Sequence, residues 1–267
     1  MWSRDSSPER GGGPSGGWWR GRGAGLRIPS VGASRRHLPV PGRILILALL
    51  LASCRQTPEE PEFPKIQRDV ASIVGDSFST EDARDRLGEA EQVIRLSGVA
   101  QGMSVADIGA GEGYYTVRLS PVVGKHGRVL AEDIVPETIE LLAQRVHREK
   151  LDNVAVVLGA PDNPRLPKAS FDRIFLIHMY HEVESPYAFL WHLRQGLKPD
   201  GEIIVVDADR RPRRHGMPPR VLQCELAALG LKLTHIQAIT GGEAYLAAFR
   251  AAAPKPEPDE IKPCRER

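Results

Sequence analysis

The sequence predicts an α/β fold, in which helices cover both faces of a doubly wound sheet of seven mostly parallel strands. Three observations predict it. Segments typical of strands alternate with segments of helical period, as in a parallel sheet with crossover helices. Each strand is a near-continuous apolar run, which is expected when both faces are buried. Only "TGGE" joins the last two runs, so the final strand is expected to be antiparallel, because a parallel crossover needs about a dozen residues or more.

The elements follow in order along the chain. A helix is predicted first, because Leu87, Ala90, Val93 and Ile94 recur at helical spacing. Pro136 lies at a first-turn position, which is typical of a helix start. The segment "LKPDG" (197–201) is predicted to be a turn. The predicted strands are 103–109, 127–133, 153–159, 171–178, 202–208, 231–239 and 244–251, and the predicted helices are 84–96, a helix starting at 114, 136–149, 187–196 and 218–230. This order is that of a Rossmann-like fold.

The N-terminal part differs in composition from the rest. Low-complexity sequence is followed by the apolar run Ile44–Ala52, which is too short to span a bilayer at about 20 residues but fits the core of a signal peptide. The run leads to "LASC", which resembles the bacterial lipobox. We therefore predict a leader with a lipoprotein-type signal peptide (1–54) and a lipid anchor at Cys54 in the cell envelope, facing the periplasm. The alternative is an inert apolar stretch on a cytoplasmic protein.

The remaining boundaries follow from the same composition. Residues 55–83 are predicted to be a linker and leading segment, 84–251 the folded domain, and 252–267 a disordered charged tail. The net charge of +2 gives no indication of nucleic-acid binding. Cys224 and Cys264 either pair in an oxidising compartment or remain a buried thiol and a tail thiol, and the second interpretation is favoured at this stage.

The motif "DIGAGEGYY" (107–115) follows the first predicted strand. In a doubly wound sheet, ligands lie at the carboxyl ends of the strands, next to this turn. Gly109, Gly111 and Gly113 allow positive φ and leave room for a ligand against the main chain. The spacing is not that of a dinucleotide loop, and Glu112 would bring negative charge towards a pyrophosphate. The loop therefore disfavours a phosphate ligand.

With the element order, this motif resembles that of the class I S-adenosylmethionine-dependent methyltransferases, whose first motif is acidic-x-Gly-x-Gly-x-Gly after strand one. The resemblance covers nearly the whole of 84–251 and includes the reversed final strand. It implies S-adenosylmethionine as cofactor, held by Asp107 and the three glycines, and methyl transfer to an unidentified small acceptor. The segments "RDRLGEAEQVI", "YHEVESP" and "RHGMPP" resemble a bacterial group of undefined substrate, many apparently with export signals.

The resemblance also implies two acidic cofactor ligands. An acidic residue ending strand two takes the ribose hydroxyls in the family, and Asp133 is favoured over Glu132 by the strand end. Asp162 matches the residue that binds the adenine amino group. Each has a structural alternative, a helix N-cap for Asp133 and a turn cap for Asp162.

The segment "HMYHEVESP" (178–186) follows strand four, where the acceptor would meet the methyl group. His181 or Tyr180 is expected to orient or deprotonate the acceptor, with His178 beside them, although positioning alone can supply much of the rate. No metal is predicted, because no third ligand of suitable spacing accompanies the two histidines.

The basic loop that follows strand five, which includes Arg213 and Arg214, either attracts an anionic acceptor or is a solvated surface loop. An alternative function for the whole chain is an exported, non-catalytic module that binds a small molecule on the same fold.

Overall fold

The computed structural model describes residues 61–73 and 81–264. The predicted leader, its apolar run and Cys54 lie outside the described residues. Within the described ranges, no helix combines the length and apolar character needed to cross a bilayer.

The sheet has seven strands in the order β3-β2-β1-β4-β5-β7-β6. Strands β1 to β5 pair in parallel, and β7 pairs antiparallel with both β5 and β6. The predicted fold class, including the antiparallel last strand, is confirmed. The strands are β1 (Ser104–Ile108), β2 (Arg128–Asp133), β3 (Val154–Leu158), β4 (Phe171–Ile177), β5 (Leu197–Ala208), β6 (Leu231–Ala238) and β7 (Ala244–Ala251).

Six α-helices connect or flank these strands in the described part of the chain. The predicted first helix is two helices, because Gly88 adopts a left-handed conformation with φ of 63° and interrupts it. Pro136, Pro186 and Pro219 each occupy the first turn of a helix, where no amide donor is needed. The helices are α1 (Glu81–Leu87), α2 (Glu89–Ser97), α3 (Tyr114–Val123), α4 (Pro136–Arg148), α5 (Pro186–Arg194) and α6 (Pro219–Ala228).

Strand β5 is longer than predicted, because "LKPDG" belongs to it rather than forming a separate turn. Leu197 pairs with Phe171, and the register then shifts so that Glu202 pairs with Arg173. The irregular stretch between these pairs contains Pro199 and Gly201, the residues that indicated a turn.

Alternate residues of the central strands face two separate hydrophobic clusters. In β4, Ile174 and Leu176 pack on the face covered by α5 and α6, whereas Phe175 and Ile177 pack on the face covered by α2 and α3. This two-sided burial explains the continuous apolar runs of the sequence, and it leaves the carboxyl ends of the strands as the accessible edge.

The segments before and after the domain pack on its α5–α6 side. Arg68 forms a buried ion pair with Glu225 of α6, with Nε 2.9 Å from Oε1. In the tail, expected to be disordered, residues 252–264 are described, and Ile261 belongs to the hydrophobic core. Cys264 forms a disulfide with Cys224 of α6, so the favoured interpretation of two separate thiols is not the one the structure shows. The sequence did not indicate that the tail packs on the domain, because the residues of the tail that make these contacts do not recur at a helical or strand period.

Candidate active site

A cavity of about 470 Å³ opens at the carboxyl ends of β1, β2 and β4. This volume is within the range of cavities that hold a small molecule or cofactor. Its wall combines the glycine loop, the ends of the strands and residues from α1 and α4. The lining includes Glu81, Arg84, Gly109, Gly111, Tyr114, Glu132, Asp133, Thr138, Ala160, His178, Met179, Glu182 and Phe189.

The glycine loop requires glycine for backbone and packing reasons. Gly109, Gly111 and Gly113 all have positive φ, between 56° and 89°. A Cβ on Gly113 would lie 2.6 Å from Leu142 Cδ1, whereas a Cβ on Gly111 would meet no atom within 4 Å. Gly113 therefore allows α3 to pack against α4. Gly111 leaves open space beside the main chain, as a ligand cradled by the loop needs.

Asp133, which the sequence assigned to the cofactor site, ends β2 and lines the cavity. Its Oδ2 accepts the Gly111 amide at 3.0 Å, and its Oδ1 accepts the Val135 amide at 3.0 Å, just before α4. The carboxylate thus fixes the glycine loop and the turn before α4, but the N-cap of α4 is Val135, so Asp133 is not the helix N-cap considered from the sequence. A carboxylate can accept further hydrogen bonds, as a ribose diol would require.

Two other carboxyls lie beneath the loop. Asp107 is buried and accepts a hydrogen bond from the Thr116 hydroxyl at 2.6 Å, so it supports the loop and α3 rather than lining the cavity. Burial, opposed by this hydrogen bond, raises the pKa of Asp107 to about 6. Burial and the neighbouring charge of Asp133 raise the pKa of Glu132 to about 8.

Glu132, which the strand end made less favoured than Asp133 as the ribose ligand, is the more buried of the two residues. Its side chain lies against Gly159, where a Cβ would come within 1.5 Å of Oε1. Within the described part of the chain, Oε1 has no hydrogen-bond partner. A protonated carboxyl here presents a polar group to the cavity without adding a second charge beside Asp133.

Asp162 lies outside the cavity lining, although Ala160 and Pro161 line it. The Asp162 side chain is exposed, and its backbone oxygen is 3.0 Å from Nδ1 of His192. Glu81 and Arg84, which the sequence did not indicate as site residues, also reach the cavity from α1. The helical period of the leading segment predicted a helix there but not which side would face the cavity.

A smaller cleft lies beside the cavity, and Arg84 and His178 line both. Its other walls come from α2, the end of β5 and the β6–β7 loop, including Glu89, Arg210 and Glu243. Two adjoining spaces with common walls could hold a cofactor and an acceptor side by side.

His178, one of the predicted catalytic residues, lies between these spaces. Its Nε2 is 3.0 Å from Oε2 of Glu89, and Glu89 also accepts hydrogen bonds from Arg84 and the Tyr115 hydroxyl. Burial alone would raise the pKa of Glu89, but the hydrogen bond and charge of His178 and the charge of Arg84 hold it at about 2. Glu89 is therefore an anion that fixes the His178 ring.

His181 and Tyr180 are placed differently from each other. The Tyr180 hydroxyl is buried and donates to Glu225 Oε2 at 2.8 Å, on the α6 side of the sheet, so the structure does not bring it to the cavity with His178. His181 is also buried, and its Nδ1 lies 2.9 Å from Oδ2 of Asp207 at the end of β5. A histidine held by a carboxylate in this way is fixed in orientation.

The basic loop meets the cleft through one arginine only. Arg210 lines the smaller cleft, and its Nη1 lies 3.7 Å from Oε2 of the exposed Glu243. Arg213 instead pairs with Asp69 at 2.8 Å on the surface, and Arg214 is exposed. Of the arginines in this loop, Arg210 is the one that the described structure places for an anionic acceptor.

The chain is similar to known methyltransferases in sequence. Residues 106–205 match the family model of a methyltransferase domain. A protein-L-isoaspartate O-methyltransferase of Methanothrix thermoacetophila is 26% identical over 110 residues, which cover 41% of this chain and 50% of that relative. The corresponding protein of Methanococcus maripaludis strain C5 is 35% identical over 75 residues, 28% of this chain and 35% of the relative. The chain thus spans about half the length of these relatives or less.

Solved structures agree on the fold. An S-adenosylmethionine-dependent methyltransferase from Aquifex aeolicus has a TM-score of 0.58 and 22% identity, covering 66% of this chain and 100% of that one. The [4+2]-cyclase SpnF has a TM-score of 0.56 and 15% identity, covering 70% and 88%. At these identities the likeness concerns the fold, and a cyclase among the neighbours is a reminder that fold does not decide the reaction. The described chain therefore has the Rossmann-like fold seen in S-adenosylmethionine-dependent methyltransferases, and its residues 106–205 are similar in sequence to a methyltransferase domain, which implies S-adenosylmethionine as the cofactor.

Proposed function

We propose that the protein is an S-adenosylmethionine-dependent methyltransferase that acts on a small acceptor. The observation that carries the proposal is the pair of adjoining spaces, with the glycine loop and Asp133 on one side and His178 common to both. A binding module for a single small molecule would need only the larger cavity. The adjoining cleft favours transfer between two bound molecules.

Asp133, Gly109 and Gly111 would hold the cofactor, with Glu132 behind them. S-adenosylmethionine supplies a methyl group on a sulfonium sulfur, and attack by an acceptor nucleophile on that carbon releases the sulfur as a thioether. The chain's task is then to align the nucleophile and to exclude water. His178, fixed by Glu89, is proposed to orient the acceptor where the two spaces join, and His181 with Asp207 to stiffen the wall behind it.

An acceptor with an anionic or acidic group is proposed, because Arg210 and Arg84 line the smaller cleft. The carboxylates of Glu89 and Glu243 in the same cleft limit the net positive charge, so we expect a single anionic group rather than a polyanion. The matched relatives are named protein-L-isoaspartate O-methyltransferases, and an isoaspartyl residue also bears a carboxylate. Isoaspartyl peptides and small carboxylic acids are therefore the first acceptors to test.

The test is transfer of an isotopically labelled methyl group from S-adenosylmethionine to these acceptors, detected by mass spectrometry. We expect product with at least one acidic acceptor, a higher KM for that acceptor in Arg210→Gln, and a wild-type KM in Arg220→Gln, which changes an exposed arginine of α6. Intact cofactor binding without transfer to any acceptor, including neutral ones, would instead support the non-catalytic binding module.

We also propose that the protein is exported and anchored through Cys54 at a bacterial envelope. The apolar run before Cys54 supports this, and so does the Cys224–Cys264 disulfide, since disulfides persist in oxidising compartments. Mass spectrometry of the N terminus after cell fractionation tests it. A lipidated Cys54 in the membrane fraction is expected, whereas a soluble chain that retains the residues before Cys54 would contradict the proposal and leave the cytoplasmic alternative.

A further inference from the structure

Two histidines and a glutamate converge where the segment after β4 meets the basic loop after β5. His181, Glu182 and His215 each offer one ligand atom, and these atoms all lie within 4.8 Å of one another. His181 Nε2 is 3.9 Å from Glu182 Oε1. Spacing in the sequence did not indicate His215 as a partner of His181 and Glu182, because it comes from a distant loop. We call these three residues the His–Glu–His cluster.

Asp207 orients the buried member of this cluster. Both of its oxygens lie within 3.0 Å of His181 Nδ1, and Oδ1 also accepts the Ala208 amide at 2.8 Å. If Nδ1 carries the proton that Asp207 accepts, the Nε2 lone pair points into the cluster. Histidines that bind metals usually donate their other N–H to a carboxylate or carbonyl in this manner, which raises their basicity and fixes the ring.

The backbone brings His215 to the cluster at a conformational cost. His215 has a φ of 51°, which is uncommon for a residue with a side chain. Its carbonyl accepts a hydrogen bond from Arg210 Nε at 3.0 Å, and the Met217 amide bonds to Ala208 at the base of the loop. The two imidazoles meet edge to face, with centroids 5.6 Å apart. Strained backbone held by such contacts is often found at functional sites.

We propose that the His–Glu–His cluster binds one divalent transition-metal ion, with His181 Nε2, a Glu182 carboxylate oxygen and one ring nitrogen of His215 as ligands. Two imidazoles and one carboxylate suit Zn²⁺ and Fe²⁺, with further positions left for water or substrate. Ligand atoms around Zn²⁺ at its usual bond lengths are about 3.4 Å apart. The cluster therefore has to contract slightly, and the partly buried Glu182 and His215 can move towards the fixed His181.

The position of the cluster suggests what the ion does. Glu182 also lines the larger cavity, so the ion would lie at the wall of the methyl-transfer site. There it can hold an anionic acceptor and polarise its oxygen, as a Lewis acid does. This role rests on the proposed methyltransferase function, whereas the binding of the ion does not.

The full-length protein, stripped with a chelator and dialysed, is titrated with Zn²⁺ in a calorimeter, and Co²⁺ is added to a second sample to record the absorption bands of the bound ion. We expect one Zn²⁺ per chain. His215→Gln and Glu182→Gln should each weaken binding by about tenfold or more, and Asp207→Asn by about 10–100-fold, as found for carboxylates behind metal-binding histidines. His126→Gln, which changes an exposed histidine far along the chain, should bind as the wild type does.

The proposal is overturned if the folded protein takes up no Zn²⁺, or if His215→Gln and Glu182→Gln bind it as tightly as the wild type. Circular dichroism confirms folding, and the two partly buried ligands carry the test because their replacement disturbs the core least. S-adenosylhomocysteine is titrated into the same preparations. Cofactor binding without Zn²⁺ binding overturns only the metal site, and Zn²⁺ binding without cofactor binding overturns only the proposed function.

Discussion

At the scale of single residues, the carboxyl of Glu132 shows how the cavity tolerates several acids close together. Three carboxyls, Asp107, Glu132 and Asp133, lie at the ends of β1 and β2. Full ionisation of all three in a buried setting would be unfavourable. The raised pKa of Glu132, caused first by its burial, lets this one stay neutral while Asp133 holds the glycine loop.

This carboxyl predicts a pH dependence of stability. Its pKa rises from 4.5 to about 8 on folding, so the folded state binds the proton more tightly, and the free energy of unfolding falls as pH rises from 4.5 to about 8. Glu132→Gln has no titrating carboxyl at this position, so its free energy of unfolding should not fall for this reason as pH rises. We expect the variant to gain stability relative to the wild type over this range, by a few kcal/mol at most, since one pKa unit is about 1.4 kcal/mol.

Urea unfolding at pH 5 and pH 8 measures this difference. Glu140→Gln, which changes an exposed glutamate of α4, serves as the control and should leave the pH dependence unchanged. Parallel pH profiles for Glu132→Gln and the wild type would contradict a neutral Glu132 in the folded protein.

A second residue-scale prediction concerns the buried pair Arg68–Glu225. Both side chains are only 2% exposed, and Glu225 also accepts the Tyr180 hydroxyl. Arg68→Met leaves a buried carboxylate without its cation, so we expect a loss of about 3–5 kcal/mol in thermal or urea unfolding. Adding Glu225→Gln removes the charge while keeping an acceptor for Tyr180, and should restore at least half of the loss. Arg220→Met, which changes an exposed arginine of α6, the helix of Glu225, should have little effect on stability. If this control loses as much stability as Arg68→Met, the loss does not come from the broken Arg68–Glu225 pair.

At the scale of elements, the C-terminal tail belongs to the folded domain. The Trp191 indole donates to the Pro256 carbonyl at 3.0 Å, the Cys264 amide donates to the Tyr187 hydroxyl at 2.7 Å, and the disulfide fixes the tail to α6. A crosslink between residues 40 apart restricts the unfolded chain. We expect Cys264→Ser to lower the free energy of unfolding by about 2–4 kcal/mol.

Urea unfolding with and without a reductant tests the disulfide. The wild type in reductant should match Cys264→Ser, and the variant should not respond to reductant. If the oxidised wild type and Cys264→Ser have the same midpoint, the tail contributes no stability through this bond.

At the scale of the whole molecule, the sequence predicts the order of strands and helices well. A parallel sheet covered on both faces requires continuous apolar strands and helices with one apolar side, and both patterns are visible in the sequence. The break at Gly88 was missed because a lone glycine is tolerated within a helical pattern. The extension of β5 was missed because Pro199 and Gly201 indicate a turn equally well. Local signals thus located elements better than they located boundaries.

The site was predictable only where the end of a parallel strand determines the position of a residue. Gly109, Gly111 and Asp133 lie in the cavity wall as expected, because they end parallel strands at one edge of the sheet. The Tyr180 hydroxyl bonds to Glu225, and His215 approaches His181; both contacts depend on the packing of distant segments. No spacing in one sequence reports such contacts.

The most direct measurement is calorimetric titration of the folded protein with S-adenosylmethionine and S-adenosylhomocysteine. We expect micromolar binding of both, weakened by about tenfold or more in Asp133→Ala, because hydrogen bonds to a charged group are lost from the cavity. Asp162→Ala, which changes an exposed carboxylate outside the cavity lining, should bind nearly as the wild type does. Absence of binding by the folded wild-type protein would contradict the assignment of this cavity to the cofactor.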